Sequence, residues 1–367
     1  MIRPADVLSD LEDKLDVGHL EQVRQRQTQA LQFGRPDSLP LRIDCPDDTF
    51  ARYPYAEAFA DMAKMLVNEL AGLCASAALQ DDAWPMIRAN YGVGTLPSLF
   101  GTTCRILGNQ LPWVDPLNDT EAIRRLVRQG VPNLTAGLGQ RVLDTQAYYL
   151  EQLAPWPKCR SLIRLYHPDL QGPFDVAHLI WGTEIYYALT DEPELVHAFL
   201  DLVTETYIQF MRAAKVMISD EFAGGLVGHW GSIYRGRVVL RNDTAVNLSR
   251  EHYETFVRPY DQKILDAFGA GSIHYCGRAD QWVFQMIECR QLGGLNFGQP
   301  PNMAFGLDFL AKLQAATRQR QIAITDYFLP ADQLDRVGKQ GFTTGLTLHT
   351  AAASPAEARE ILRKHRG

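Results

Sequence analysis

The chain has 367 residues, 46% of them hydrophobic, a composition that fits a globular protein with a large core. Its formal net charge of −7 excludes general nucleic-acid binding, which needs a basic face. No apolar run of about 18 residues is present, and the first residues lack the long apolar segment of a secretory signal, so a cytoplasmic protein is expected.

Residues 1–39 read as an N-terminal helical extension, rich in Glu, Gln, Arg and Asp over 10–32, an amphipathic cap for a barrel end. After Pro40, short apolar runs alternate with longer helical segments, the pattern of βα units around a parallel sheet. Eight strands are expected: Leu41–Asp44, Pro85–Asn90, Leu162–Tyr166, Val238–Asn242, Ser272–Cys276, Gly294–Phe297, Ile322–Asp326 and Gly345–His349. Between them Leu195, Phe199, Val203, Tyr207 and Met211 recur at four-residue steps, one apolar helix face. Asn118-Asp-Thr-Glu121 opens another helix, and Ser354-Pro-Ala-Glu357 is a capping box. The economical architecture is a single (β/α)8 TIM barrel over 40–367, with a long insertion after the second strand. Six scattered cysteines without paired spacing fit a reduced compartment.

In such a barrel the active site lies at the C-terminal ends of the strands. Those ends read Asp44, Asn90-Tyr91, Tyr166-His167, Asn242-Asp243, His274 and Cys276, Asn296, Asp326-Tyr327 and His349. Carboxylates and imidazoles close an apolar mouth only where water or a ligand occupies it. Several have two readings: Asp243 serves the site or caps a turn, and His167 lines the mouth or is an ordinary loop residue before Pro168. His349 is a ligand or a satisfied buried histidine. Asn90 and Tyr91 read as pocket lining, and His229, beside Trp230, as a lid or packing residue.

The sharpest motif is His274-x-Cys276-Gly277. Side chains at i and i+2 of a strand share one side, so imidazole and thiolate can converge on one ion. Nitrogen and sulfur donors suit zinc. His349 is the expected third ligand, because the eighth strand ends on the same barrel face. Asp243, on the neighbouring fourth strand, is expected as a fourth ligand or as a partner to His274. Cys289 is set aside, since its helix leads away from the catalytic end.

Several stretches carry a family resemblance: Arg35-Pro-Asp-Ser-Leu-Pro-Leu-Arg42, Gly172-Pro-Phe-Asp-Val-Ala177, Trp181-Gly-Thr-Glu184 and Asp191-Glu-Pro-Glu-Leu-Val196. Asp243 through Leu248-Ser249, Arg258-Pro-Tyr260 and Ile273-His-Tyr-Cys-Gly277 follow in order. From about residue 40 the chain resembles the uroporphyrinogen decarboxylase superfamily, closest in motif to its zinc-containing, cobalamin-dependent methyltransferase branch. That resemblance implies a zinc-dependent methyltransferase moving a methyl group between a corrinoid and a thiol or methylated small molecule. The corrinoid is expected on a partner protein, because no Asp-x-His-x-x-Gly cobalamin signature occurs here. Asp243 and Glu184 take the catalytic roles, tuning or briefly occupying the fourth metal position. Trp181, Trp230 and Tyr327 join Asn90, Tyr91 and His167 as lining of an aromatic-rich substrate pocket. Where the branch carries a third cysteine after its last strand, this chain has His349. The runner-up is a metal-free carbon–carbon decarboxylase of the parent type, using Asp243 or Asp44. Against it, the Met-Arg-Gln-Ala-Gly-Arg segment that grips porphyrinogen carboxylates has no counterpart at 44–56.

Overall fold

Thirteen strands form in the computed structural model, which describes residues 2–298 and 305–367. They are β1 (Leu41–Asp44), β2 (Met86–Ile87), β3 (Thr103–Arg105), β4 (Trp113–Asp115), β5 (Arg164–Leu165), β6 (Glu221–Phe222) and β7 (Leu226–His229). The remainder are β8 (Ser232–Arg235), β9 (Val239–Arg241), β10 (Gly271–Cys276), β11 (Leu292–Gly298), β12 (Ala323–Phe328) and β13 (Leu346–Ala351). Each of the eight expected strands is among them, within a few residues of its expected ends. The five others are short, two to four residues, and lie in the insertions.

Six strands make one parallel sheet in the order β1-β13-β12-β11-β10-β9, and β2 pairs in parallel with β5. This succession, with helices between the strands, is compatible with a TIM-barrel-like arrangement. Among the described residues no ladder joins β1 to β2 or β5 to β9. Side chains take over the backbone bonds there. The Asp82 carboxylate accepts from Leu41 N–H at 2.9 Å and Asp81 accepts from Ile43 N–H at 2.8 Å, so two aspartates stand where a strand would. On the edge of β5, Ser219 Oγ accepts from Leu165 N–H at 3.1 Å.

Period-2 alternation sorts the sheet faces. Tyr275 of β10 turns toward the helices and packs on Trp282, while Ser272 and His274 face the other way. On that face lies the β7–β8 hairpin, almost wholly buried: Arg235 O accepts from Ser272 Oγ at 2.7 Å, and Ser232 Oγ donates to Asp326 at 2.6 Å. Asp326 has φ 55° and marks a register shift between Ile324 and Tyr327. The shift lets Asp326 face the hairpin and sends Tyr327 to the helix layer, where its hydroxyl donates to Gly306 O at 2.7 Å.

The N-terminal extension forms two helices, Pro4–Lys14 and Val17–Leu31. Gln27 of the second bonds Ile233 N–H at 2.7 Å and Asp82 O at 2.6 Å, tying the extension to the hairpin and to the β1 edge. The insertion after β2 carries the β3–β4 hairpin and four α-helices, Thr95–Leu99, Thr120–Gln129, Gly139–Leu153 and Pro157–Leu162. A second insertion, not expected from sequence, adds β6–β8 between β5 and β9. One segment, Met62–Leu79, has a mean hydropathy of 1.3 over 18 residues. It folds as two helices, Met62–Ala71 and Cys74–Leu79, and the first buries Met65, Leu66, Val67 and Leu70 in the core.

Candidate metal centre

A row of matched register positions builds the centre. Arg241, His274, Asn296 and Thr325 sit opposite one another on β9, β10, β11 and β12, so their side chains emerge from one stretch of the sheet. His274 is buried. Its Nδ1 lies 2.5 Å from Asn296 Oδ1, and Asn296 Nδ2 donates to Thr325 O at 2.8 Å. With its amide nitrogen committed to a carbonyl, Asn296 can only accept from His274. In the neutral ring that puts the proton on Nδ1 and leaves the Nε2 lone pair bare.

Nε2 points at two other donors. Cys276 Sγ is 3.3 Å away and Asp243 Oδ1 also 3.3 Å away. The ligand atoms of Asp243, His274 and Cys276 all lie within 4.8 Å of one another. Zinc bonds of about 2.0–2.3 Å in tetrahedral geometry imply ligand separations of roughly 3.3–3.8 Å, so the donor set and its spacing fit zinc. Gly298, beside them on β11, keeps the space clear: a Cβ there would collide with Cys276 Sγ and the His274 ring.

The charges support an ion. Burial works to raise the Asp243 carboxyl, but a His274 ring protonated on both nitrogens, Arg241 and the Cys276 N–H, 2.8 Å from Oδ1, outweigh it and hold the group well below the usual carboxylate range. At the bare Nε2 of the neutral ring an ion would take that proton's place. Burial and the Asp243 charge push the Cys276 thiol up to about 12. A cation is what turns such a thiol into a thiolate ligand. Asp175 is buried behind this pair, accepts from Thr244 N–H at 3.0 Å, and is pushed well above its ordinary value by burial and by Asp243.

His349 is elsewhere. It lies outside the converging group, its Nε2 2.9 Å from Asp44 and its ring 3.3 Å from Arg42 Nη2. Between β13 and β10 stand β12 and β11, three strand spacings of about 4.8 Å each. The third candidate donor is therefore Asp243, which follows β9 next door to β10. Glu184 is exposed in the first turn of the helix Glu184–Asp191 and is not in the group.

Of the six expected pocket residues, Trp230 alone touches the centre, meeting the His274 ring at 4.7 Å. Asn90 lines a cavity of about 280 Å³ with Arg52, Tyr55, Glu69 and Leu111, and bonds Glu69 at 2.9 Å. Tyr91 and Trp181 are core residues, bonded to Thr145 at 2.8 Å and Thr120 at 3.3 Å. His167 is buried and stacked on His229 at 4.4 Å, and Tyr327 is buried on the helix side of β12. Reading the sequence passed over Arg241 and left Asn296 without a role. Both occupy the strand-end position that matches His274, and strand alignment was the available signal.

A second cavity of about 280 Å³ opens at the β1/β2 break, lined by Arg42, Asp44, Glu69, Trp84 and Trp230. It reaches the hairpin tip at Trp230 and Gly231.

The chain resembles in fold a methyltransferase from Methanosarcina mazei. The two superpose with a TM-score of 0.62 over 94% of this chain and 98% of that one, at 16% identity. No family model and no curated protein matches the sequence. The likeness extends through the insertions as well as the sheet, since nearly all of both chains is covered.

Proposed function

We propose that this protein is a zinc-dependent methyltransferase, built as a TIM barrel of the uroporphyrinogen decarboxylase superfamily. It would move a methyl group between a corrinoid on a partner protein and a thiol or methylated small molecule. The convergence of Asp243, His274 and Cys276 carries the reading, and the fold of the Methanosarcina mazei methyltransferase supports it. A three-donor set leaves one position for substrate, the catalytic rather than the structural pattern. Bound zinc would supply the charge that lets a substrate thiol lose its proton at neutral pH. The chain's own part is to hold the donors. Asn296 fixes the His274 tautomer, Asp243 brings a carboxylate that stays ionised, and Arg241 (3.6 Å from Asp243 Oδ2) balances its charge. The cytoplasmic setting belongs to this proposal.

Elemental analysis of chain purified without chelator tests the reading. The expected result is close to one zinc per wild-type chain, lost in Cys276→Ser, His274→Ala and Asp243→Asn and kept in His349→Ala. Zinc lost in His349→Ala but kept in Asp243→Asn would restore the ligand set expected from the sequence. Methyl transfer that survives in zinc-free Cys276→Ser would overturn the metal role.

A further inference from the structure

Trp230 and Gly231 form the whole loop between β7 and β8, because His229 pairs directly with Ser232. Both have positive φ, 48° and 81°. This is the pattern of the type I′ turn, whose loop positions favour Asn, Asp and Gly because other side chains are strained there. A tryptophan is out of place in such a turn, and strain of this kind points to a role beyond the turn itself.

The indole packs on its neighbour His229, with centroids 4.2 Å apart, and two further partners lie in the candidate metal centre. Its ring meets His274 nearly perpendicular, at 71°, with centroids 4.7 Å apart. The Arg241 guanidinium lies over its face, 4.3 Å from the centroid. The tip is fixed from the other side: Arg42 Nη1 donates to Trp230 O at 2.7 Å and Trp84 N–H donates to Gly231 O at 2.7 Å. Arg241 is also paired with buried Asp169. Held this way, it comes no nearer to Asp243 than 3.6 Å, at Oδ2, while Oδ1 faces His274 Nε2. An arginine released from its aromatic seat would close on the carboxylate in a two-pronged pair and compete with the ion.

We infer that Trp230 is a positioning residue of the metal centre. It fixes the His274 ring plane by contact and, by seating Arg241, keeps the guanidinium off Asp243 Oδ1, which accepts from Cys276 N–H and keeps a lone pair for the ion. The inference rests on the metal reading above, and it explains why the strained hairpin tip carries an indole in place of Asn or Gly.

Cobalt(II) titrated into the metal-free full-length chain tests it, read by the thiolate charge-transfer and d–d bands and by tryptophan emission. Trp230→Asn suits the turn and removes only the indole, and Trp230→Phe keeps an aromatic face. Cobalt affinity should fall about 10–100-fold in W230N, as for other residues that support metal ligands, with an altered d–d spectrum. W230F should retain most of the affinity, and Arg241→Met added to W230N should recover part of the loss. Cobalt should also quench wild-type emission more than that of W230F. Wild-type affinity and spectrum in W230N, or no recovery with Arg241→Met, would overturn the role of Trp230 while the metal site stands. Cobalt bound equally by wild type and Cys276→Ser would mean the ion sits elsewhere, and both readings fall.

Discussion

At the residue scale, the centre depends on which atoms are left bare. His274 offers Nε2 because Asn296 takes the proton on Nδ1, and Asn296 does so because Thr325 O fixes its amide. Replacing Asn296 by Leu removes the acceptor and frees the ring to flip or change tautomer. Metal affinity should then fall about 10–100-fold, the usual loss for such a supporting partner, with a changed His274 nitrogen shift in NMR. Asn296→Asp supplies a stronger acceptor and should bind at least as tightly as wild type. Equal affinity in Asn296→Leu would show that the His274–Asn296 bond does not orient the ligand. His274 and Cys276 were legible in the sequence because an i, i+2 spacing on a strand fixes their common side locally. Asn296 and Arg241 were not, since their relation to His274 exists only through strand register.

At the element scale, two devices are unusual. The first is the edge of β1, where Asp81 and Asp82 carboxylates replace a neighbouring strand. Asp82 also pairs with buried Arg26 and lies 3.3 Å from Arg366. Asp82→Ala would orphan the Leu41 N–H and leave the Arg26 charge without that partner. A loss of about 3–5 kcal/mol is expected for breaking a buried pair of this kind, measured by urea unfolding at constant m-value. A loss under about 1 kcal/mol would mean that water or Asp37 takes over both roles. The second device is the buried β7–β8 hairpin, which delivers Trp230 to the metal centre. No run of alternating apolar and polar residues announced it: every hairpin residue but Arg235 and the two at the tip is buried, so the period-2 signal is absent.

For the whole molecule, burial sets the pH range of stability. His167 and His229 stack beneath the hairpin tip, both fully buried. Burial drives His167 down to about 3, and burial together with His167 drives His229 well below its ordinary value. Unfolded, each would take a proton near pH 6.5, so the unfolded chain binds more protons below that pH. Their neutral burial therefore favours the fold fully above about pH 6.5. The advantage shrinks as pH falls toward 3, by up to about 1.4 kcal/mol per pH unit for each histidine. Buried Asp81 and Asp261, each pushed up to about 7 by burial, take up protons in the folded chain over the same range and act in the opposite sense. The histidine contribution is therefore read as a difference. Urea unfolding at pH 7, 6 and 5 should show His167→Phe gaining stability relative to wild type as pH falls, and a constant difference would assign the acid sensitivity to other groups. The sequence by itself determined eight strands, six of them in one parallel sheet and two in a parallel pair, and the shared side of His274 and Cys276, because hydrophobic runs and strand periodicity are local properties. Only the tertiary structure decided which residue completes the candidate group. Strand order puts β9 beside β10 and leaves β13 three places away, so Asp243 reaches the His274–Cys276 half-site and His349 pairs with Asp44 instead.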